Sequence, residues 1–391
     1  MRDEWEKVTL GDLMTFKNGL NFTQDSNGKE YNFLGVGCFK SKNSIKNASE
    51  LETVYISNPV DKDYLLKKDD LVFVRSNGSK ELVGRCVLIE NDISNATYSG
   101  FCIKGVLKSE KTTSKYILKN IEAGFLKEKL KHENRGTNIS NLNQEILNSL
   151  EIKLPTLNEQ DKIIETLNVW DSAIEKTEKL IEKKEALLNW YAKRILISGK
   201  TSKVLFSDLF KLSSEKNTLN QSYPALSATK DGVVFQEEYF NKRVASDDTR
   251  SYLIARRNTF VFSGLNFWMG SVDLQTLTDV GIISPAYKVF TINSDLISFE
   301  YAHFLIRSNY IKKLLMDSSI VGASIVRRNL DMDNLLNSAI ELPELDQQAK
   351  IVEQLSLIQK DIGLNKKLLK QYKLQKQGLM QKLLTGEWRI E

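Results

Sequence analysis

The sequence predicts an α+β protein. Two pseudo-repeated globular domains are joined by two long helices, which pair antiparallel as an intramolecular coiled coil. Three observations predict this: a block near residue 154 that recurs near residue 342, a heptad stripe after each copy, and short strand-like runs bounded by turn residues ahead of each copy. Fixed-period self-similarity signals a duplicated architecture.

The block Leu154-Pro155-Thr156-Leu157-Asn158-Glu159-Gln160-Asp161-Lys162-Ile163-Ile164-Glu165-Thr166-Leu167 returns as Leu342-Pro343-Glu344-Leu345-Asp346-Gln347-Gln348-Ala349-Lys350-Ile351-Val352-Glu353-Gln354-Leu355, an offset of 342 − 154 = 188. Eight of the fourteen positions are identical. At the same offset Ile174 meets Ile362, Leu180 meets Leu368 and Leu196 meets Leu384. The segments upstream echo each other more faintly: Val8-Thr9-Leu10-Gly11-Asp12-Leu13 against Val204-Leu205-Phe206-Ser207-Asp208-Leu209, and Asn141-Leu142 against Asn329-Leu330. Between these anchors the halves diverge. The shared parts read as scaffold and the divergent parts as readers. The expected division is a first globular domain over 1–153, a central spacer helix over 154–200, a second globular domain over 201–341 and a C-terminal spacer helix over 342–391.

In the first helix a stripe runs through Ile163, Leu167, Trp170, Ile174, Thr177, Ile181, Lys184, Leu188, Tyr191 and Ile195. The second carries Ile351, Leu355, Ile358, Ile362, Asn365, Leu369, Tyr372, Lys376, Leu379 and Leu383. Steps of four and three alternate, which is the 3.5-residue period of a coiled-coil seam. Pro155 and Pro343 sit just before each helix, where proline is tolerated. Asn158 and Asp346 are the expected N-caps, and Gly199 and Gly386 the expected stops. The polar members Thr177, Lys184, Asn365 and Lys376 either fix register or are tolerated imperfections. A helix of roughly 40 residues is about 60 Å long. That length matches about 17 base pairs of B-DNA at 3.4 Å each.

Each globular domain reads as strands first and helices after. Leu71-Val72-Phe73-Val74, Arg85-Cys86-Val87-Leu88-Ile89, Thr259-Phe260-Val261-Phe262 and Tyr287-Lys288-Val289-Phe290-Thr291 are strand-like, bounded by turns such as Ser76-Asn77-Gly78-Ser79. Helical stretches are expected around 114–131 and 298–316. Basic and amide residues cluster in the expected loops: Lys40 and Lys42, Arg75 with Asn77 and Lys80, Arg135 with Asn138, Lys242-Arg243, Arg256-Arg257, and Arg327-Arg328-Asn329. Lys and Arg suit phosphate, Arg pairs with guanine, and Asn pairs with adenine. A solvated surface has the same composition, so no base is assigned to any of them.

Composition bounds the classes. The 391 residues are 41% hydrophobic and 27% charged, and Lys+Arg exceed Asp+Glu by 55 to 50, a net charge of +5. The chain can bury full cores, and its mild basic excess permits a polyanionic partner without demanding one. Cys38, Cys86 and Cys102 are odd in number and lack C-x-x-C spacing, which fits a reducing cytoplasm rather than a disulfide framework. The charged start Met1-Arg2-Asp3-Glu4 reads as no secretory leader, and no apolar run reaches the roughly 20 residues of a membrane span.

The repeated Leu-Pro-x-Leu-x-x-Gln-x-Lys-Ile block carries a resemblance. So do the helix ends Tyr191-Ala192-Lys193-Arg194-Ile195-Leu196 and Gly378-Leu379-Met380-Gln381-Lys382-Leu383-Leu384-Thr385-Gly386-Glu387, and the opening Trp5-Glu6-Lys7-Val8-Thr9-Leu10-Gly11-Asp12-Leu13. Together they resemble the specificity subunits of type I restriction-modification enzymes over the whole chain. The resemblance implies two target recognition domains that each read half of a bipartite double-stranded DNA site, with the helices setting the gap. It implies docking of two modification subunits that bring S-adenosylmethionine and methylate adenine. It also implies restriction subunits that bring ATP, Mg and cleavage.

No catalytic or cofactor-binding motif is read in the chain itself. Asn58-Pro59-Val60-Asp61 lacks the second proline and the aromatic of an amino-methyltransferase motif and reads as a turn. Gly35-Val36-Gly37 lacks the third glycine of a dinucleotide loop, and no phosphate-binding G-x-x-x-x-G-K-[ST] occurs. His132 and His303 lie far apart in sequence and suggest no zinc site. The expectation is therefore a non-catalytic DNA-binding subunit. The competing expectations are a coiled-coil scaffold that binds only proteins and a self-contained enzyme with a cryptic centre.

Overall fold

The computed structural model describes residues 5–390 apart from 40–42, 79–80, 134–140, 231, 242–244, 265–266, 268–269 and 322–327. The chain divides into two compact units. One is Met1–Thr177 with Leu368–Glu391, the other Glu178–Lys367.

In the first unit a five-stranded sheet runs in the order Met14–Asn18, Cys102–Leu107, Leu71–Val74, Cys86–Ile89, Ser44–Ile45. It is antiparallel except at its last pair. A three-stranded sheet sets Gln24–Leu34 between Glu52–Ile56 and Ala96–Tyr98. Leu71–Val74 is apolar throughout because both its faces are covered. Leu71 and Phe73 join the core that also receives the long helices, while Val72 and Val74 join a separate cluster on the other face.

The second unit repeats the device. Its four-stranded sheet has the order Phe210–Ser213, Tyr287–Ile292, Phe260–Ser263, Val272–Leu274. Phe260 and Phe262 face one cluster and Val261 the other. A further four-stranded sheet holds Gly232–Phe235, Ala225–Thr229, Val280–Ile283 and Leu253–Arg256.

The faint upstream echo is structural. Glu6–Thr9 pairs with Glu151–Leu154 and leads into the short helix Leu10–Leu13. Thr201–Leu205 pairs with Ala339–Pro343 and leads into Phe206–Leu209. The expected helical stretches each split in two. Ser114–Glu122 and Phe125–Glu133 part at Gly124, whose φ of +97° breaks the helix. Phe299–Ile306 and Asn309–Asp317 part at Ser308, whose hydroxyl caps the Ile311 amide at 3.3 Å.

The two long helices are Leu157–Ile195 and Leu345–Leu384, of 39 and 40 residues. The expected N-caps are displaced. The first helix starts ahead of Asn158, and Thr156 Oγ1 accepts from the Glu159 amide at 3.4 Å. Glu344 holds the matching place before Leu345, its carbonyl accepting from Gln347 and Gln348. Asn158 and Asp346 therefore lie inside the first turns, because the residue right after each proline already serves as cap. The stop at Gly386 holds: its φ is +73°, and Trp388 N donates to Lys382 O at 3.0 Å. Gly199 also has positive φ, +87°, four residues beyond Ile195.

Within each unit the helix segments run antiparallel. In the first, Trp170 meets Tyr372 edge-on at 5.8 Å between ring centres. Asp171 also bonds Lys376, and Glu159 bonds Arg389. In the second, Glu185 pairs with Lys366 at 2.6 Å and Tyr191 donates to Gln354 at 2.7 Å. The expected seam is the buried face. Ile163, Leu167, Ile181, Ile351, Leu355, Ile362 and Leu383 are buried, and Trp170, Ile174, Leu188, Tyr191, Ile358, Leu369, Tyr372 and Leu379 are half-buried. Off the seam, Val169, Leu357 and Leu364 are 69%, 63% and 56% exposed.

The polar seam members divide by role. Lys184 bonds Asp361 across the helices, and Lys376 bonds Asp171. By contrast, Thr177 donates to its own helix at Ala173 O, and Asn365 donates to Asp361 of its own helix.

The repeated glutamine locks each long helix to its unit. Gln160 and Gln348 are fully buried. Gln160 Nε2 donates to Pro155 O and Lys111 O, and its Oε1 accepts from Thr112 Oγ1. Gln348 Nε2 donates to Pro343 O and Leu296 O, and its Oε1 accepts from the Ser298 amide.

Candidate nucleic-acid interface

Two groups of the basic and amide residues expected at DNA lie on described turns. In the first unit the chain leaves Leu71–Val74 and turns through Arg75, Ser76 and Asn77, with Arg75 and Asn77 exposed. The Arg75 amide donates to Phe101 O at 2.8 Å, and the Leu142 amide donates to Arg75 O at 2.9 Å, so the turn is held from both sides. It borders a depression of about 720 Å³ that is also lined by Asn21, Phe33, Glu52, Phe101 and Asn141. Aromatic rings, amides and a carboxylate thus share one open surface.

In the second unit Arg256 ends the strand Leu253–Arg256, and Arg257 and Asn258 make the corner, Asn258 at a φ of +64°. Both arginines are exposed and both are already paired. Arg256 grips Glu215 with two bonds of 3.2 and 2.6 Å. Arg257 donates to Asp279 at 2.9 Å and to Thr276 O at 2.6 Å. The Glu215 carboxylate raises the Arg256 pKa, so that side chain stays charged. Exposed pairs of this kind contribute little net stability, and a phosphate can replace the carboxylate at small cost.

Lys40, Lys42, Lys80, Arg135, Asn138, Lys242, Arg243 and Arg327 lie outside the described residues. Arg328 and Asn329 begin the strand Arg328–Leu330, which pairs with Ser319–Val321; their side chains lie outside the description. Sequence reasoning passed over Phe101 and Asn21, because an isolated aromatic and a lone amide carry no motif.

His303 pairs within the second unit. His303 Nδ1 lies 3.4 Å from Asp273 Oδ1, with Arg307 at 3.9 Å. Burial works to raise the Asp273 pKa, but the adjacent His303 imidazole and the Arg307 charge outweigh it and lower the pKa. The segment Asn58–Asp61 is a turn, with the Val60 amide on Tyr31 Oη and Asp61 capping Asp63. Among the described residues no group of three or more His, Cys, Asp or Glu could hold a metal ion. Among them, too, no helix is long and apolar enough to cross a membrane.

Comparison with known proteins completes the picture. Residues 2–185 match the type I restriction modification DNA specificity domain family. The type I restriction enzyme StySPI specificity subunit of Salmonella potsdam is 30% identical over 224 residues, covering 51% of this chain and 47% of that protein. The chain thus spans about half the length of that relative. The MjaVIII specificity subunit of Methanocaldococcus jannaschii is 22% identical over an alignment covering 100% of this chain and 94% of the relative.

Over residues 2–185 the chain is similar to the type I specificity-subunit family.

A solved structure gives a likeness of fold. A chain from a type I restriction-modification system, described for its complex assembly and conformational transition, superposes with a TM-score of 0.62. Its identity is 14%, and the match covers 98% of each chain. At that identity the likeness is one of fold. Within this fold the repeated residues Leu154, Gln160, Ile163 and Leu167 and their counterparts Leu342, Gln348, Ile351 and Leu355 are buried, and the described candidate DNA contacts sit on turns.

Proposed function

We propose that this chain is a specificity subunit that reads a bipartite site in double-stranded DNA and directs partner subunits to it, without catalysis of its own. Residues 1–153 and 201–341 act as its two target recognition domains. The observation that carries this reading is the duplication. Matching terminal strand pairs and matching glutamine locks frame surface loops that diverge between the units. A scaffold built twice with unlike loops suits two different half-sites, because sequence is read at base edges and not by the framework.

The helices support a partner role. In the second unit Leu357 and Leu364, seven residues apart on one helix, expose large apolar side chains, and contiguous exposed apolar area marks protein contact. On this reading two modification subunits dock there and supply S-adenosylmethionine for adenine methylation. Restriction subunits add ATP- and Mg-dependent cleavage, and the assembly works in the cytoplasm.

The test is co-expression with the modification subunit in a methylation-free host, followed by genome-wide mapping of methylated adenine. A single two-part motif with a fixed unspecified gap is the expected result. An assembled complex that methylates nothing, and whose DNA binding lacks steep salt dependence, turns the reading to a protein-only scaffold.

A further inference from the structure

The two units share one junction and dress it differently. In the first, Val74 pairs with Cys102, and the next residues outward meet through Arg75 N to Phe101 O at 2.8 Å. In the second, Ser263 pairs with Tyr287, and Gly264 N donates to Ala286 O at 3.1 Å. The hydrogen bond is kept while Arg and Phe give way to Gly and Ala. The second unit also closes the space: a Cβ on Gly264 would lie 2.7 Å from Ala286 O. At these two paired positions the first unit has a cation and an aromatic ring where the second has neither.

Phe101 is 60% exposed. A single exposed apolar side chain is ordinary, but the mounting of this one is not. Its amide donates to Ser99 Oγ at 3.2 Å and its carbonyl accepts from Arg75. The turn beneath it is clamped by the crossing segment at 19–21, with Gly19 N on Cys102 O, Leu20 N on Tyr98 O and Gly100 N on Leu20 O, all at 2.9–3.1 Å. The fit leaves no room for side chains, since a Cβ at Gly100 would meet Asn21 Oδ1 at 1.9 Å and one at Gly19 would meet Ser99 O at 2.0 Å. An exposed ring on a backbone held this firmly loses little further freedom on binding, which is what a contact residue needs. Asn77 stands on the facing turn and lines the same depression.

We infer that the edge made by the Arg75–Gly78 and Ser99–Phe101 turns is where the first domain reads base edges of its half-site, with Phe101 as the apolar contact and Asn77 as the amide contact. This rests on the DNA-reading function proposed above. An aromatic ring suits the thymine 5-methyl group in the major groove, and an Asn amide suits adenine.

The same methylation map tests it on the assembled complex. Phe101→Ala is expected to make one base position permissive, raising methylation at sites that differ there by about tenfold. That position falls in one half of the motif, while the other half and the gap are unchanged. Phe101→Leu, which keeps apolar bulk, retains most of the discrimination. Asn77→Ala, on the opposite turn, relaxes a position in the same half, and it decides the matter if Phe101→Ala lowers assembly. A wild-type two-part motif that survives both Phe101→Ala and Asn77→Ala intact overturns this edge alone. A wild type that yields no two-part motif overturns the DNA-reading function and this edge with it.

Discussion

Gln160 and Gln348 do the same work in two places. Each buried amide bonds a carbonyl at the start of its own long helix and a carbonyl of the loop ahead of Ser114–Glu122 or Phe299–Ile306. Removing either amide leaves buried carbonyls without donors. Gln160→Ala and Gln348→Ala are each expected to lower stability by about 2–3 kcal/mol, read as a shift in the urea unfolding midpoint. At the surface the expectation differs. Arg256→Ala is expected to leave unfolding nearly unchanged and to reduce the salt slope of DNA binding by about one, measured by titration at several salt concentrations. The repeat showed that Gln160 and Gln348 matter, but their partners at Lys111 and Leu296 lie far off in sequence and only the fold brings them near. Arg256 and Arg257 were visible as a basic pair. Their engagement with Glu215 and Asp279 was not, since those acids are 41 and 22 residues away.

Among the elements, the helix seam was the most legible, because a 3.5-residue period is written directly in the chain. The helix starts were less so. Asn158 and Asp346 have good capping side chains, yet the chain turns helical directly after Thr156 and Glu344. The expected long stretches near 114–131 and 298–316 proved to be pairs of short helices, because Gly124 and Ser308 break them locally. One element junction carries charge. Lys119 of the helix Ser114–Glu122 bonds Asp171 of the central helix at 2.7 Å, and Lys376 of the C-terminal helix bonds the same carboxylate. Burial alone would lower the Lys119 pKa, but the Glu122 and Asp171 carboxylates outweigh it and raise it. Burial alone would raise the Asp171 pKa, but the two lysine bonds outweigh it and lower it. The signs differ accordingly. The Asp171 contribution is complete above the ordinary aspartate value, about 3.9, and is lost as pH falls through its lower folded value. The Lys119 contribution is complete below the ordinary lysine value, about 10.4, and is lost as pH rises through its higher folded value. Asp171→Asn is therefore expected to be less stable than wild type at pH 7 and to lose less of its stability below pH about 4. Urea unfolding across pH checks both.

For the molecule as a whole, the duplication was legible and the make-up of the divergent surface turns was not. Buried positions repeat because packing and hydrogen-bond satisfaction restrict them, so Leu154, Pro155 and Gln160 recur as Leu342, Pro343 and Gln348. Surface turns face no such restriction, and Arg75 with Phe101 corresponds to Gly264 with Ala286 only through the strand register. The central claim is that the units read separate halves of one site. Exchanging residues 1–153 for the matching segment of another specificity subunit, and mapping methylated adenine with the modification subunit present, tests it most directly. One half of the motif should change while the other half and the gap stay as they were; a motif that changes in both halves, or in neither, contradicts the claim.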